Sequence, residues 1–277
     1  MIKCITIAEC SALHLKDLDR AKRLIEAAAS TGANYVKFQK RNPEESTPKH
    51  LWNKPHPNPE FAHGSTYLEH RKNLEFTIQQ HKELFNFCTE NKIGYSTSVW
   101  DITSAKEVID EINPNYIKIP SAQNTNYKLL EYIFTNYKKP VHISLGMLES
   151  EEKNILFNFC KSYNQTIFYY CTSIYPCPLE NLNLLEIFML YEEFGIAGFS
   201  NHNPNIDTDI AGFSLGASFI EKHFTNDKNI LHTDASSSLD ANEMTELVSR
   251  LKNIEMCLTF KKEISDKERE QKEKLKN

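Results

Sequence analysis

Residues 197–224 read AGFSNHNPNIDTDIAGFSLGASFIEKHF, and this stretch decides the fold. The run Ala197–His202 places Gly198, Ser200 and His202 in one phase and Ala197 with Phe199 in the other. A helix-like interval follows near Thr208–Gly216, and Ser218–Phe224 resumes the alternation with Phe219, Glu221 and His223 in phase. Successive side chains of a strand point to opposite faces, so this is a strand, helix, strand unit whose strands end on histidines. Working outward, the same rhythm recurs at Ile2–Cys10, Tyr35–Gln39, Ile93–Ser98, Tyr116–Ser121, Val141–Gly146 and Ile167–Ser173. Eight strands alternating with helices predict an α/β fold, a single-domain (β/α)8 TIM barrel with its active site at the carboxyl ends of the strands.

Helix periodicity and capping place the first helix from Asp17 to Gly32 and a second over Tyr67–Asn91. Later helices fall near Ile102–Ile112, Tyr127–Tyr137, Ser150–Tyr163, Leu182–Phe194 and Asp240–Phe260. The barrel is expected over residues 1–260 and a charged, solvated tail over 261–277. The stretch 41–66, rich in proline, asparagine and histidine, is too long for an ordinary connection and predicts an insertion after strand two, over the barrel mouth. The chain has 277 residues, close to the length of one such barrel. Its net charge of −5 argues against a nucleic-acid partner, and no apolar run is long enough for a membrane span. Seven cysteines without C-x-x-C spacing predict reduced thiols in a cytoplasmic protein, with Cys4, Cys88, Cys160 and Cys257 as packing residues.

The strand ends carry Glu9, Lys37, Gln39, Thr97, Lys118, Ser121, Ser144, Ser173, His202 and His223. Strands seven and eight are neighbours about 4.8 Å apart, so His202 and His223 can share one metal ion, leaving positions for water and substrate. Lys37 and Lys118, ringed by the hydroxyls of Thr97, Ser121, Ser144 and Ser173, suit a small phosphorylated acid. The alternative for each lysine is a structural salt bridge.

These residues stand in ordered motifs. They are Ile7-Ala8-Glu9, Asp17-Leu18-Asp19-x-Ala21-Lys22, Gly32-Ala33-x-x-Val36-Lys37-Phe38-Gln39, Lys118-Ile119-Pro120-Ser121 and Ser144-x-Gly146-Met147, followed by Cys171-Thr172-x-x-Tyr175-Pro176, Gly198-Phe199-Ser200-x-His202 and Leu215-Gly216-Ala217-x-x-Ile220-Glu221-Lys222-His223-Phe224. Residues 2 to about 255 thereby resemble the catalytic barrel of the N-acetylneuraminate (sialic acid) synthase family. The resemblance implies condensation of phosphoenolpyruvate with an open-chain aldose such as N-acetylmannosamine. The products would be a sialic-acid-like 3-deoxy-2-ulosonic acid, serving surface polysaccharide biosynthesis, and phosphate. It implies a divalent metal, manganese or magnesium, on His202 and His223, and phosphoenolpyruvate held by Lys37, Thr97, Lys118, Ser121, Ser144 and Ser200. Tyr175 and Asp234 would face the sugar, with Gln39, Gln123 and Ser173 completing the substrate site. Glu9 would orient or activate the water. A homodimer is the expected assembly.

The chain departs from the pattern at three places. It ends before the small C-terminal antifreeze-like domain of the usual members, so the 41–66 insertion is expected to serve as the lid. Pro120-Ser121-Ala122-Gln123 replaces Gly-Ser-Gly-Glu, exchanging a carboxylate for an amide at Gln123. Ala12-Leu13-His14-Leu15 replaces the Asn-His-x-Gly turn. Two alternatives follow. One is a synthase for a phosphorylated aldose, with Lys40, Arg41 or Lys54 as the extra basic group. The other is a catalytically silent sugar-binding barrel.

Overall fold

The computed structural model describes residues 3–276. The expected strand start at Ile2, and the outermost residues of the barrel and tail spans (1 and 277), lie outside them. Eight strands form a closed parallel barrel in chain order. They are β1 (Ile5–Ser11), β2 (Tyr35–Lys40), β3 (Gly94–Val99), β4 (Ile117–Ile119), β5 (Val141–Ser144), β6 (Thr166–Cys171), β7 (Ala197–Asn201) and β8 (Ala217–His223). The helices are α1 (Leu18–Ser30), α2 (Pro43–Ser46), α3 (Tyr67–Leu74), α4 (Ile78–Glu90), α5 (Ile102–Glu111), α6 (Tyr127–Asn136), α7 (Ser150–Cys160), α8 (Leu185–Phe194), α9 (Ile206–Ser214), α10 (Ala241–Cys257) and α11 (Asp266–Leu275).

Local chemistry sets the helix starts. The Asp17 carboxylate accepts from Arg20 N, capping α1, whose Ala21, Leu24, Ile25 and Ala28 are buried against the strands. The expected single helix over Tyr67–Asn91 is instead two, α3 and α4. Thr77 forms a capping box with Gln80, which starts a new helix. Between them Glu75 leaves helical geometry, and its carboxylate accepts from the Arg41 backbone at 3.1 Å. The sequence reading followed the apolar period through this break and passed over the Thr-x-x-Gln cap.

The core has two parts. An outer shell, including Val36 and Phe38 at 0% exposure, lies between strands and helices. Burying each such side chain contributes roughly 1.5–3 kcal/mol. A second cluster inside the barrel comprises Ile7, Tyr116, Ile167 and Tyr169, packed with Ile5, Tyr35, Ile196 and Phe219. His142 joins this inner plug, stacked on Tyr116 at 4.0 Å and hydrogen-bonded through Nδ1 to Tyr169 Oη at 2.8 Å. Gly198 makes room for it, since a β-carbon there would strike the Tyr169 ring.

The insertion is built from α2 and two short turns, Lys49–Leu51 and Pro59–Phe61. Asn58 and Phe61 wall a cleft jointly with residues 228–236, the segment that follows β8. All seven cysteines are unpaired. Cys257 is exposed, contrary to its expected packing role, because it lies on the outward side of the last turn of α10, whose neighbours Ile254 and Leu258 face the core instead. Helix α11 buries no residue. Among the described residues no helix is long and apolar enough to cross a membrane.

Candidate active site

Strand register stacks the functional side chains in layers above the inner plug. Glu9 lies beside Lys37 on one side and His223 on the other, and Ser200 lies beside Glu221. The middle layer is therefore an ion cluster. Lys118 Nζ contacts Glu221 Oε2 at 3.1 Å, Lys37 Nζ pairs with Glu9 and lies 3.7 Å from Glu221 Oε1, and Ser200 Oγ donates to Glu221 Oε1 at 3.0 Å. Lys37 also donates to Ser98 Oγ at 2.9 Å, while Lys118 sits 3.4 Å from the Tyr169 ring centroid, a cation–π seat on the plug. All four charged groups are buried.

Burial raises the Glu9 carboxyl to about 7, only partly opposed by Lys37. Burial also pushes Glu221 upward, but Lys118 and Lys37 overcome it and hold this carboxyl low, at about 2. Lys118 falls to about 8 through burial, with Glu221 opposing. The layer thus keeps Glu221 ionised as a permanent counter-charge, whereas Glu9 is poised near neutrality.

A cavity of about 300 Å³ opens above this layer. Of the residues singled out from the sequence, Glu9, Lys37, Gln39, Lys118, Ser121, Ser144, Ser173, Tyr175, Ser200, His202, His223 and Asp234 all line it. Ser11 reaches it through an irregularity in β1: pairing with β2 shifts between Glu9 and Ser11, and Ser11 takes a positive φ of 47°. Its hydroxyl then donates to Asp234 and accepts from Gln39. Gly146 leaves space for two hydroxyls, because a β-carbon there would collide with Ser173 Oγ and come within 2.7 Å of Ser121 Oγ.

Three expectations are corrected. Thr97 is fully buried but does not line the cavity. It pairs with Phe38 in the outward phase, while Ser98, beside Gln39, faces in. Gln123 lies in the turn after β4, where its amide oxygen accepts from Asn126 Nδ2 at 2.9 Å and the side chain is absent from the cavity wall. Lys40 has the opposite phase to Gln39 and pairs outward with Glu107 at 3.1 Å, and Lys54 is exposed, so of the three extra basic candidates only Arg41 lines the cavity.

The sequence reading missed Glu221 as the hub of the ion cluster, although its phase with His223 placed it inside. It also missed Ser98, Trp100, Arg71 and His232, which line the cavity from β3 or from outside the strands. None of these four carried a local signal.

The metal fit rests on the imidazoles. The His202 and His223 ring centroids lie 5.4 Å apart, with Tyr175 packed 4.1 Å from His202. His202 Nδ1 lies 2.8 Å from the Thr172 carbonyl and so carries the proton, which leaves Nε2 as a lone-pair donor. Buried His223 has no hydrogen-bond partner at Nδ1, and burial lowers it to about 4, keeping it in the neutral form that ligates metals. Among the described residues no group of three or more His, Cys, Asp or Glu side chains is arranged around one point. The donor set fits a divalent ion completed by water and substrate oxygens.

The description "NeuB family" matches residues 24–263. The N-acetylneuraminate-9-phosphate synthase of Homo sapiens is 34% identical over 259 residues, covering 92% of this chain and 71% of that protein. The N,N'-diacetyllegionaminic acid synthase of Campylobacter jejuni subsp. jejuni is 32% identical over 264 residues, covering 93% and 78%. The crystal structure of an N-acetylneuraminic acid (sialic acid) synthetase from Leptospira borgpetersenii superposes with a TM-score of 0.85 at 26% identity, covering 98% of this chain and 91% of that one.

Proposed function

The chain belongs to the NeuB family, and we propose that it is a phosphoenolpyruvate-dependent synthase that joins C3 of phosphoenolpyruvate to the aldehyde carbon of an open-chain aldose. The products are a sialic-acid-like 3-deoxy-2-ulosonic acid and inorganic phosphate. The observation that carries this reading is the buried Lys37–Lys118 layer directly under a hydroxyl-lined cavity with paired histidines.

Lys37 and Lys118 receive the anionic groups of phosphoenolpyruvate, and Ser121, Ser144 and Ser173 donate to its oxygens, while Ser200 lines the same pocket with its hydroxyl donating to Glu221. Glu221 stays ionised between the two lysines, so neither ammonium is left unbalanced before the donor enters. Tyr175 and Asp234 face the acceptor. His202 and His223 would hold a divalent ion, manganese or magnesium, which when bound would polarise the acceptor aldehyde. As C3 attacks, C2 becomes electron-poor and Glu9, beside Lys37, faces it. Water adds at C2, Glu9 takes its proton, and phosphate leaves from the tetrahedral centre.

The six buried, unpaired cysteines support a cytoplasmic setting. A homodimer is supported by exposed Ile155 on α7 and Leu185, Phe188 and Met189 on α8. The two helices are joined by a Lys153–Glu186 pair at 3.1 Å. The decisive experiment incubates the protein with phosphoenolpyruvate, manganese and a panel of aldoses, following released phosphate and product mass. A new mass equal to the aldose plus a three-carbon acid, with one phosphate per product, is the expected result. Phosphate release without a new carbon skeleton would overturn the reading.

A further inference from the structure

We propose that Arg71, with Arg41 behind it, receives a phosphate monoester carried by the acceptor sugar, which makes the acceptor a phosphorylated aldose. This rests on the condensation reading and names its second substrate class. Both guanidiniums line the same cavity as Lys37 and Lys118, and both come from the chain beyond the end of β2 rather than from a strand.

Arg41 is buried, stacked 3.7 Å from the Trp100 ring centroid, and its Nε pairs with Glu75 at 3.1 Å. Arg71 is different. It is half-buried and donates to the Tyr67 hydroxyl at 2.6 Å, and among the described residues it has no carboxylate within 4.0 Å. Two guanidiniums near one another, with a carboxylate for only one, leave a surplus positive charge on a cavity wall. Burial first, and the neighbouring Arg71 next, lower the Arg41 guanidinium to about 9 against the opposing pull of Glu75.

The cavity wall adds a neutral donor: the Asp234 N–H donates to His232 Nδ1 at 3.2 Å, so that ring carries its proton on Nε2. The nearby carboxylate, Asp234, is occupied by Ser11 and flanked by His223 and His232. An outer cleft of about 770 Å³ shares Tyr175, His232, Thr233 and Asp234 with the cavity, so an acceptor that reaches the histidines has room to extend outward. A planar guanidinium presenting paired N–H donors matches a phosphate monoester.

The test compares N-acetylmannosamine, its 6-phosphate and mannuronate as acceptors with the full chain, phosphoenolpyruvate and manganese. In parallel, calorimetry measures binding of the 6-phosphate without turnover. The expected result is a kcat/KM preference for the 6-phosphate of roughly tenfold or more over the free sugar. Arg71→Gln should cut that preference, and weaken binding of the ester, by a similar factor, with Arg71→Lys between. Equal use of free and phosphorylated sugar, or a preference that survives Arg71→Gln in a protein of unchanged melting temperature, would overturn the inference while leaving the condensation intact. Mannuronate performing as well as the ester would also overturn it, in favour of a carboxylate site. If no acceptor gives product, the condensation reading falls. The isotherms then decide this inference alone: weaker ester binding in Arg71→Gln supports it, and unchanged binding overturns it.

Discussion

The middle layer of the barrel and the canopy above its mouth handle charge in opposite ways. In the layer, Lys37, Lys118, Glu9 and Glu221 come from four strands, are buried, and are mutually paired. In the canopy, Arg41, Arg71, His70 and His232 come from the segments after β2 and β8, and Arg71 has no carboxylate partner among the described residues. Strands held in a closed ladder fix charges to within hydrogen-bonding precision, whereas connecting segments vary freely. A donor common to many reactions belongs on the first, and an acceptor that differs between relatives belongs on the second.

The hardest way to break this contrast is to remove a layer charge. Lys118→Ala or Lys37→Ala should lower kcat/KM for phosphoenolpyruvate by about 10²–10³-fold, as measured by initial rates of phosphate release. Each also strands a buried carboxylate and should cost about 3–5 kcal/mol of stability in urea unfolding. A layer variant with unchanged donor kinetics would erase the distinction. Next in size, His202→Ala or His223→Ala should weaken manganese binding about 10- to 100-fold in a fluorescence or calorimetric titration, and chelation of the wild type should stop product formation. Full turnover in the metal-stripped protein would contradict the site.

Gly146→Ala sharpens the comparison, since the new methyl displaces the Ser121 and Ser173 hydroxyls without touching the canopy. The expected effect is a rise of roughly tenfold in the phosphoenolpyruvate KM, read from donor saturation curves. A change confined to the acceptor KM would mean that the two halves are not separable. The last test concerns pH and reads stability rather than turnover. His14, His81 and His142 are buried and their protonation is lowered chiefly by burial, His14 to about 3. Groups depressed on folding contribute stability above their unfolded value near 6.5 and lose it as pH falls toward their folded values. Unfolding free energy should therefore fall below pH 6.5, by about 1 kcal/mol per pH unit for each such histidine, in denaturant titrations. Stability that stayed flat from pH 6.5 to 4.5 would show these rings to be charged or solvated.

The sequence by itself determined the barrel, because alternation within a strand and capping at a helix start are local. All eight strands stand where the periodicity placed them, and Lys37 with Gln39, or Ser200 with His202, share a face because no other geometry of a strand allows otherwise. The face of β3 was not legible, since Ser96, Thr97 and Ser98 are all small and polar; only pairing with β2 turns Ser98 inward beside Gln39 and Thr97 out. Register between strands likewise decided that Glu221 would meet Lys118 across a sequence separation of 103 residues, and no local pattern carries such a distance. Arg71 lines the cavity from α3, a helix that belongs to no barrel strand and whose end at Leu74, before Thr77 caps α4, the apolar period did not reveal. Periodicity states which way a side chain faces, but its height in the barrel and its charged neighbours depend on inter-strand shear and loop packing, which the tertiary structure alone supplies.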